Sequence, residues 1–483
     1  MKLRELIEGV GGDVTRGEGD VEIASLAYDS RDVVEKTLFF CVPGEKADGH
    51  EFAPAAVEDG AVAIVVEREL ELPVAQVVVS DARVAMAPLA ARFWGEPTEE
   101  LKVVGITGTN GKTTTAFLVR EILESAGVGC GLLGTVKQVV GGVEEEVERT
   151  TPEAIELQAT FRRMLDVGDR ACAMEVSSHA LALHRCDAIR FEVALFTNLT
   201  QDHLDFHGDM EDYFQSKRAL FATGPEVSIV NADDPYGRRL ADEFDCLTFS
   251  ADGADADFVA HDVSFDASGA TFVAKGPEGE ARINTALPGH FNVANALGAF
   301  AAATALGIDP QAAAAGLTRA ARVPGRFEPI DEGQGFAVLV DYAHTPDSLE
   351  NVLRAARRLT EGRLISVFGA GGDRDRAKRP QMGLAGATLS DLAIVTSDNP
   401  RSEDPDAIVA ELVAGIEDDT NVEVEVDRRA AIALALGRAK PGDTVVIAGK
   451  GHEQGQEFEG SRKIPFDDRD VAREELRKLD SRL

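Results

Sequence analysis

Short apolar runs broken by turns open the chain. Ile23–Tyr28, Thr37–Val42, Val62–Val66 and Gln76–Val79 are rich in β-branched and aromatic residues and predict strands. The apolar spacing of Asp81–Trp94 predicts a helix, and the turn-rich Gly95–Glu96–Pro97–Thr98 closes this first block. A second block begins with the buried-strand run Leu101–Ile106, a glycine turn, and a helical pattern over Thr113–Ala126 that Gly127 stops. Further strands are expected at Ala171–Val176, Val193–Thr197 and Val227–Val230, and an alanine-rich helix at Phe291–Leu306, where small side chains suit close packing.

Pro and Gly break the helical pattern at Arg322–Val–Pro–Gly–Arg326, and a third block alternates strand and helix. Strands at Phe336–Val340, Arg363–Phe368, Leu392–Thr396 and Val422–Val426 each precede a helix: one opened by Pro346, then Ala377–Leu389, Pro405–Ile416 and Arg428–Gly437. Strand Thr444–Ala448 ends the series. Such alternation implies a mostly parallel sheet, so the fold class is α/β with three domains: 1–98, a central phosphate-loop domain 99–325, and a Rossmann-like domain 326–483. No internal repeat or low-complexity tract interrupts them. The acidic Glu417–Asp418–Asp419 reads as a solvated helix end.

Composition narrows the function. The formal net charge of −35 on 483 residues lacks the basic footprint of a nucleic-acid binder. Five widely spaced cysteines (Cys41, Cys130, Cys172, Cys186, Cys246) without CxxC spacing read as free thiols of a reducing compartment. No apolar run approaches the roughly 20 residues of a membrane span, and the amphipathic N-terminus is too short in apolar run for a signal peptide. The expectation is a cytoplasmic monomer without membrane insertion.

The clearest chemistry lies at Gly105–Ile–Thr–Gly108–Thr109–Asn110–Gly111–Lys112–Thr113–Thr114, between a strand and a helix. Such a loop aims backbone N–H groups and the positive helix end at a phosphate. Lys112 would reach the β- and γ-phosphates and the Thr113 hydroxyl would ligate Mg²⁺. Ile106 stands where the usual pattern has its first glycine, so the loop is a variant. Glu175 and Ser177 follow one strand; His203 and His207 follow another. Strand C-termini are where a parallel sheet keeps its ligand crevice, although His203-x3-His207 alone fits a packed pair as well as a metal pair. On a helix over Asp209–Ala222, Lys217 shares a face with Tyr213 and Phe221, either as a desolvated amine or as a stem covering the tyrosine.

Four polar loops end strands of the third block: Asp341–Asp347 with His344, Gly371–Asp375 with Arg374, Ser397–Glu403 with Arg401, and Ala448–Glu453 with Gly449 and His452. Four such loops on one sheet edge read as a site.

The loop Gly108–Thr114 resembles the ATP loop of the Mur ligases, which add amino acids to the peptidoglycan precursor, and the resemblance covers essentially the whole chain. It implies ATP as co-substrate and two Mg²⁺ ions held by Thr113, Glu175, His203 and a Lys217 carbamylated by CO₂. Lys112 joins Glu175, His203 and Lys217 as the catalytic set; Asn295 and Arg326 resemble adenine- and ribose-side contacts. Ser30 in Asp29–Ser30–Arg31, the segment Phe39–His50, and Thr150, Thr151, Ser177 and Arg185 resemble the binding segments for the UDP-linked muramoyl dipeptide; at Leu183 the family often has a polar residue. The third block resembles the tripeptide-synthetase branch, in which Asp398–Asn399–Pro400–Arg401 marks users of meso-diaminopimelate, with Gly449 beside them. Arg374 and Arg401 would pair with its distal carboxylate and Glu453 with its ammonium. The implied reaction is amide formation between UDP-MurNAc-L-Ala-D-Glu and diaminopimelate through an acyl phosphate, within a cleft that domain closure shields from water. A lysine-adding or folylpolyglutamate-type ligase and a non-catalytic nucleotide sensor are the alternatives.

Overall fold

The computed structural model describes residues 1–9, 13–16, 19–44, 47–266, 268–417 and 421–480. Asp418 and Asp419 of the acidic run, and Glu45 and Lys46 of the Phe39–His50 segment, lie outside them. The chain forms two compact units: Met1–Gly105 with Val128–Ala194 and Ser216–Glu226, and Ile106–Gly127 with Leu195–Gln215 and Val227–Leu483.

In the first unit, strands Ser25–Ala27, Thr37–Phe40, Ala61–Val66 and Ala75–Val78 lie parallel in that spatial order. Asp13–Arg16 pairs antiparallel on the far side of Ala75–Val78. Helix Ala82–Phe93 starts where the Asp81 carboxylate accepts the N–H groups of Arg83 and Val84. Its Met86 and Leu89 pack against Leu38, Phe40, Val65 and Val77, which face one side of the sheet by strand alternation. Elsewhere in this unit Cys130–Leu133 pairs parallel with Ala171–Glu175. The hairpin strands Gln138–Val140 and Val143–Glu145 extend that pair antiparallel, and helix Ala154–Val167 follows.

In the second unit, Val227–Asn231, Cys246–Ser250 and Phe258–Asp266 run parallel. Gly269–Gly276 and Gly279–Thr285 then continue as an antiparallel meander that the sequence pattern does not predict. Helix Lys112–Ser125 packs against His290–Ala305 and Pro310–Arg319. Ala296, Ala299, Ala301, Ala302 and Ala303 are fully buried, as expected where small side chains let helices approach.

A six-stranded sheet carries the C-terminal part in the order Glu328–Pro329, Ala337–Asp341, Thr444–Ala448, Leu364–Phe368, Leu392–Val395, Val422–Val424. Its first strand is antiparallel and the rest are parallel. Apolar cores cover both faces, which explains why these strands read as unbroken apolar runs. Thr444–Ala448 is the last strand of this sheet in chain order, as expected. A hairpin, Gly455–Phe458 with Arg462–Pro465, and helix Asp468–Asp480 follow it. All five cysteines are free thiols; burial pushes Cys41 and Cys186 up to about 12. Among the described residues no helix is long and apolar enough to cross a membrane.

Arg428 and Asp468 form a bidentate pair at 2.8 and 2.6 Å with both side chains fully buried. Arg428 also donates to the carbonyls of Ser397 and Ala448, at the roots of two of the polar loops. Arg428→Ala would leave a buried carboxylate uncompensated, and a loss of about 3–5 kcal/mol is expected in urea unfolding. A loss below about 1 kcal/mol would show the pair to be dispensable.

Candidate active site

The phosphate loop joins strand Lys102–Thr107 to helix Lys112–Ser125. Gly111 caps the helix at φ +87°, and a Cβ there would lie 2.3 Å from Asn295 Oδ1, so the loop requires glycine at this point. Lys112 Nζ donates to the carbonyls of Gly108 (3.0 Å) and Thr109 (2.7 Å), which arches the ammonium over its own loop. Thr109 exchanges hydrogen bonds with the backbone of Thr200 and lies 3.2 Å from the Tyr213 hydroxyl. Thr113 and Thr114 are buried on the first turn. The Thr113 hydroxyl accepts from Arg326 Nη2 at 2.9 Å, while the Arg326 guanidinium stacks 4.5 Å over Tyr342. Asn295 Nδ2 donates to Asn292. Asn295 and Arg326, far from the loop in sequence, therefore both stand at it.

Asp202 is a hub beside this loop. It is buried, accepts from Lys378 Nζ at 3.1 Å, and lies 3.4 Å from His203 Nε2 and 3.6 Å from His344 Nε2. Burial acts to raise its carboxyl, but Lys378 and the two histidines outweigh that and hold it well below the usual carboxylate range. His203 occupies left-handed backbone at φ +55°, and His207 is buried with its ring against Phe206 and Tyr213. Asn110 Nδ2 donates to Asp347, and Gln201 to Asp375, so the loop and the C-terminal strand ends meet through polar contacts.

At the C-terminal strand ends, Asp398 and Asn399 are buried. Burial favours the neutral Asp398 carboxyl, but Lys450 and Arg428 reverse the balance and lower it. Gly449 has φ +125°, and a Cβ there would meet Asp398 Oδ2 at 2.3 Å. Arg401 follows Pro400 in the left-handed region at φ +52°; its N–H donates to the Glu457 carbonyl, its Nε to the Glu457 carboxylate, and its Nη1 to the Gly372 carbonyl. Strain of this kind persists where surrounding bonds over-determine it. Arg374 lies 3.7 Å from Asp205. Glu453 bonds to Lys450 and Asn399 of its own chain.

The first unit holds the other candidates. Glu175, buried at the end of its strand, accepts from Thr135 N–H (2.8 Å) and Thr135 Oγ1 (3.1 Å). Thr150 Oγ1 lies 3.0 Å from Thr135 Oγ1. Thr151 donates to the Glu175 carbonyl and contacts Ser177 Oγ. Arg185 donates to the Thr151 carbonyl and pairs with Glu153, which also holds Arg83. Ser30 opens a short 3₁₀ turn. Arg31, beside it, forks onto the Asp29 carboxylate. Lys217 is 1% exposed on helix Met210–Ala222, between buried Tyr213 and Phe221 in the helical repeat. Leu183 ends the helix that carries Ser178.

Three family models match. That for the Mur ligase family catalytic domain covers residues 22–94, the Mur ligase middle domain 106–303, and the Mur ligase glutamate ligase domain 325–451. The chain is 48% identical to the UDP-N-acetylmuramoyl-L-alanyl-D-glutamate--2,6-diaminopimelate ligase of Streptomyces coelicolor, over 99% of this chain and 96% of that one. The chain belongs to the Mur ligase family. A relative of the same name from Gloeobacter violaceus is 48% identical over 100% of this Mur ligase and 99% of its own length. A solved structure of a UDP-N-acetylmuramoyl-L-alanyl-D-glutamate--2,6-diaminopimelate ligase superposes with a TM-score of 0.71 at 32% identity, covering 99% of each chain. The three-domain α/β fold is that of the family.

Of the residues expected to hold metal, Glu175 and Lys217 lie in the first unit of this Mur ligase and Thr113 and His203 in the second. Among the described residues no group of three or more His, Cys, Asp or Glu is arranged to hold an ion. The hydroxyl of Thr113 and the carboxylate of Glu175 are nonetheless hard oxygen donors of the type Mg²⁺ takes. Sequence reasoning passed over Asp202, Lys378, Thr135, Glu153, Glu457 and Lys450 as site residues. Lys450 alone carried a local signal, a lysine between two glycines at a strand end.

Proposed function

We propose that this Mur ligase joins meso-2,6-diaminopimelate to UDP-N-acetylmuramoyl-L-alanyl-D-glutamate with ATP, in peptidoglycan precursor synthesis. The observation that carries the reading is the Asp398–Asn399–Pro400–Arg401 loop, with its arginine held in strained backbone and aimed by Glu457. Diaminopimelate differs from lysine by a distal carboxylate, and a fixed guanidinium is the group that recognises one. The enzyme is thus an ATP-dependent ligase forming an amide bond. The D-glutamate γ-carboxylate takes the γ-phosphoryl group of ATP, giving an acyl phosphate and ADP; the diaminopimelate amine then displaces phosphate.

Both reacting groups in the first step are anions, so neutralisation is the main demand. Lys112 supplies one cation at the loop. Thr113, Glu175, His203 and a carbamylated Lys217 are the proposed Mg²⁺ ligands, and Mg²⁺ when bound neutralises phosphate charge. Gly108, Thr109, Asn110, Gly111 and Thr114 are proposed to cradle the nucleotide with Asn295 and Arg326. Ser30, Thr150, Thr151, Ser177 and Arg185 are proposed for the UDP-linked dipeptide. Arg374, Asp398, Asn399, Pro400, Arg401, Gly449 and Glu453 are proposed for diaminopimelate. Dependence on ATP and five free thiols support a cytoplasmic setting, and the proposed active unit is a single chain.

The test is incubation with ATP, Mg²⁺, the UDP-linked dipeptide and either diaminopimelate or L-lysine, followed by ADP release and product mass. Turnover with diaminopimelate and little with lysine is expected. Arg401→Ala should lose roughly 100-fold in kcat/KM for diaminopimelate. Equal use of both amino acids by the wild type would refute the assignment.

A further inference from the structure

We propose that Lys450 is a positioning residue of the amino-acid site, which turns Glu453 so that one carboxylate oxygen is kept for an ammonium of the incoming diamino acid. The inference rests on the functional reading above and adds a residue to it. Lys450 follows strand Thr444–Ala448 and is fully buried. A buried ammonium is costly unless oxygens surround it. Its Nζ donates to Asn399 Oδ1 at 2.8 Å and to Glu453 Oε2 at 2.8 Å, and Asp398 Oδ1 lies 3.9 Å away.

These bonds determine the orientation of both partners. Asn399 Oδ1 accepts from Lys450 and from the N–H of Glu457 (3.0 Å), so its amide nitrogen is turned the other way, where it donates to Glu453 Oε2 at 2.9 Å. Both of these contacts on Glu453 therefore fall on Oε2, and Oε1 takes neither. The Glu453 side chain is 30% exposed while that of Lys450 is not exposed at all, so the carboxylate reaches solvent and the lysine behind it does not. Lys450 cannot touch the substrate; it acts through Glu453 and Asn399. The same chain of bonds continues from Asn399 through Glu457 to Arg401, whose Nε donates to Glu457 Oε2 at 2.9 Å. Lys450 thus ties the ammonium-binding end of the proposed site to its carboxylate-binding end.

The experiment measures all three KM values and kcat in Lys450→Met, which keeps the length of the stem and removes the charge. The KM for diaminopimelate is expected to rise about tenfold, the cost of losing an oriented charged hydrogen bond. The KM values for ATP and for the UDP-linked dipeptide should stay near wild type, as should kcat at saturation. Lys450→Gln retains a donor and should fall between the two; it also serves if the methionine variant does not fold. An unchanged or lowered KM for diaminopimelate in a folded variant overturns the role of Lys450, and so does an equal rise in all three KM values. Failure of the wild type to turn over diaminopimelate overturns instead the functional reading on which the role rests.

Discussion

Lys112→Ala is expected to lower ADP release about 10²–10³-fold while leaving the fold intact. The ammonium donates to the carbonyls of Gly108 and Thr109, within its own loop, so the melting temperature should change far less than the rate. The kinetic effect is larger because phosphoryl transfer to a carboxylate brings two anions together with little covalent help from the protein. A cation already arched over the loop needs no reorganisation as charge moves from the γ-phosphoryl group to the leaving ADP. The check is steady-state ADP release with the UDP-linked dipeptide present, alongside a thermal melt. A variant within tenfold of wild type would remove Lys112 from the proposed machinery.

Lys217→Ala should be comparably damaging, with a loss of at least about 100-fold if the lysine holds metal as a carbamate. The side chain is 1% exposed, and CO₂ adds only to an unprotonated amine. Wild-type activity is expected to fall when bicarbonate is stripped and to recover on its return, whereas the alanine variant should not respond. A lysine that merely covers Tyr213 with its stem predicts a different pattern: a lower melting temperature with turnover retained. Turnover and melting curves on one preparation separate the two.

What could be read in the sequence follows from which forces are local. Leu364–Phe368 and Leu392–Val395 are buried on both faces and therefore declare themselves as apolar runs. Phe258–Asp266 does not, because its burial alternates irregularly among exposed Asp, Ser and His positions. Helix Asp468–Asp480 is hidden for a related reason: its apolar stripe is reduced to Val471, Ala472, Leu476 and a partly buried Leu479 among charges. Within the candidate site, glycine turns and polar strand ends are local signals, and the loops carrying Lys112, Arg401 and Glu453 were legible for that reason. Their partners were not. Nothing near Asn399 in sequence announces Glu457, and nothing near Asp202 announces Lys378, because those bonds exist only once the sheet has brought its loops to one edge.

The buried pairing of Arg428 with Asp468 has a consequence for how the protein is made. Two loops of the proposed amino-acid site hang from Arg428 through the Ser397 and Ala448 carbonyls, and the carboxylate that steadies it opens the last described helix. A nascent chain can assemble its phosphate loop early. It cannot finish the loops proposed for the incoming amino acid until residues around 468 have cleared the ribosome, so ATP-binding ability should mature before acceptor selectivity during synthesis.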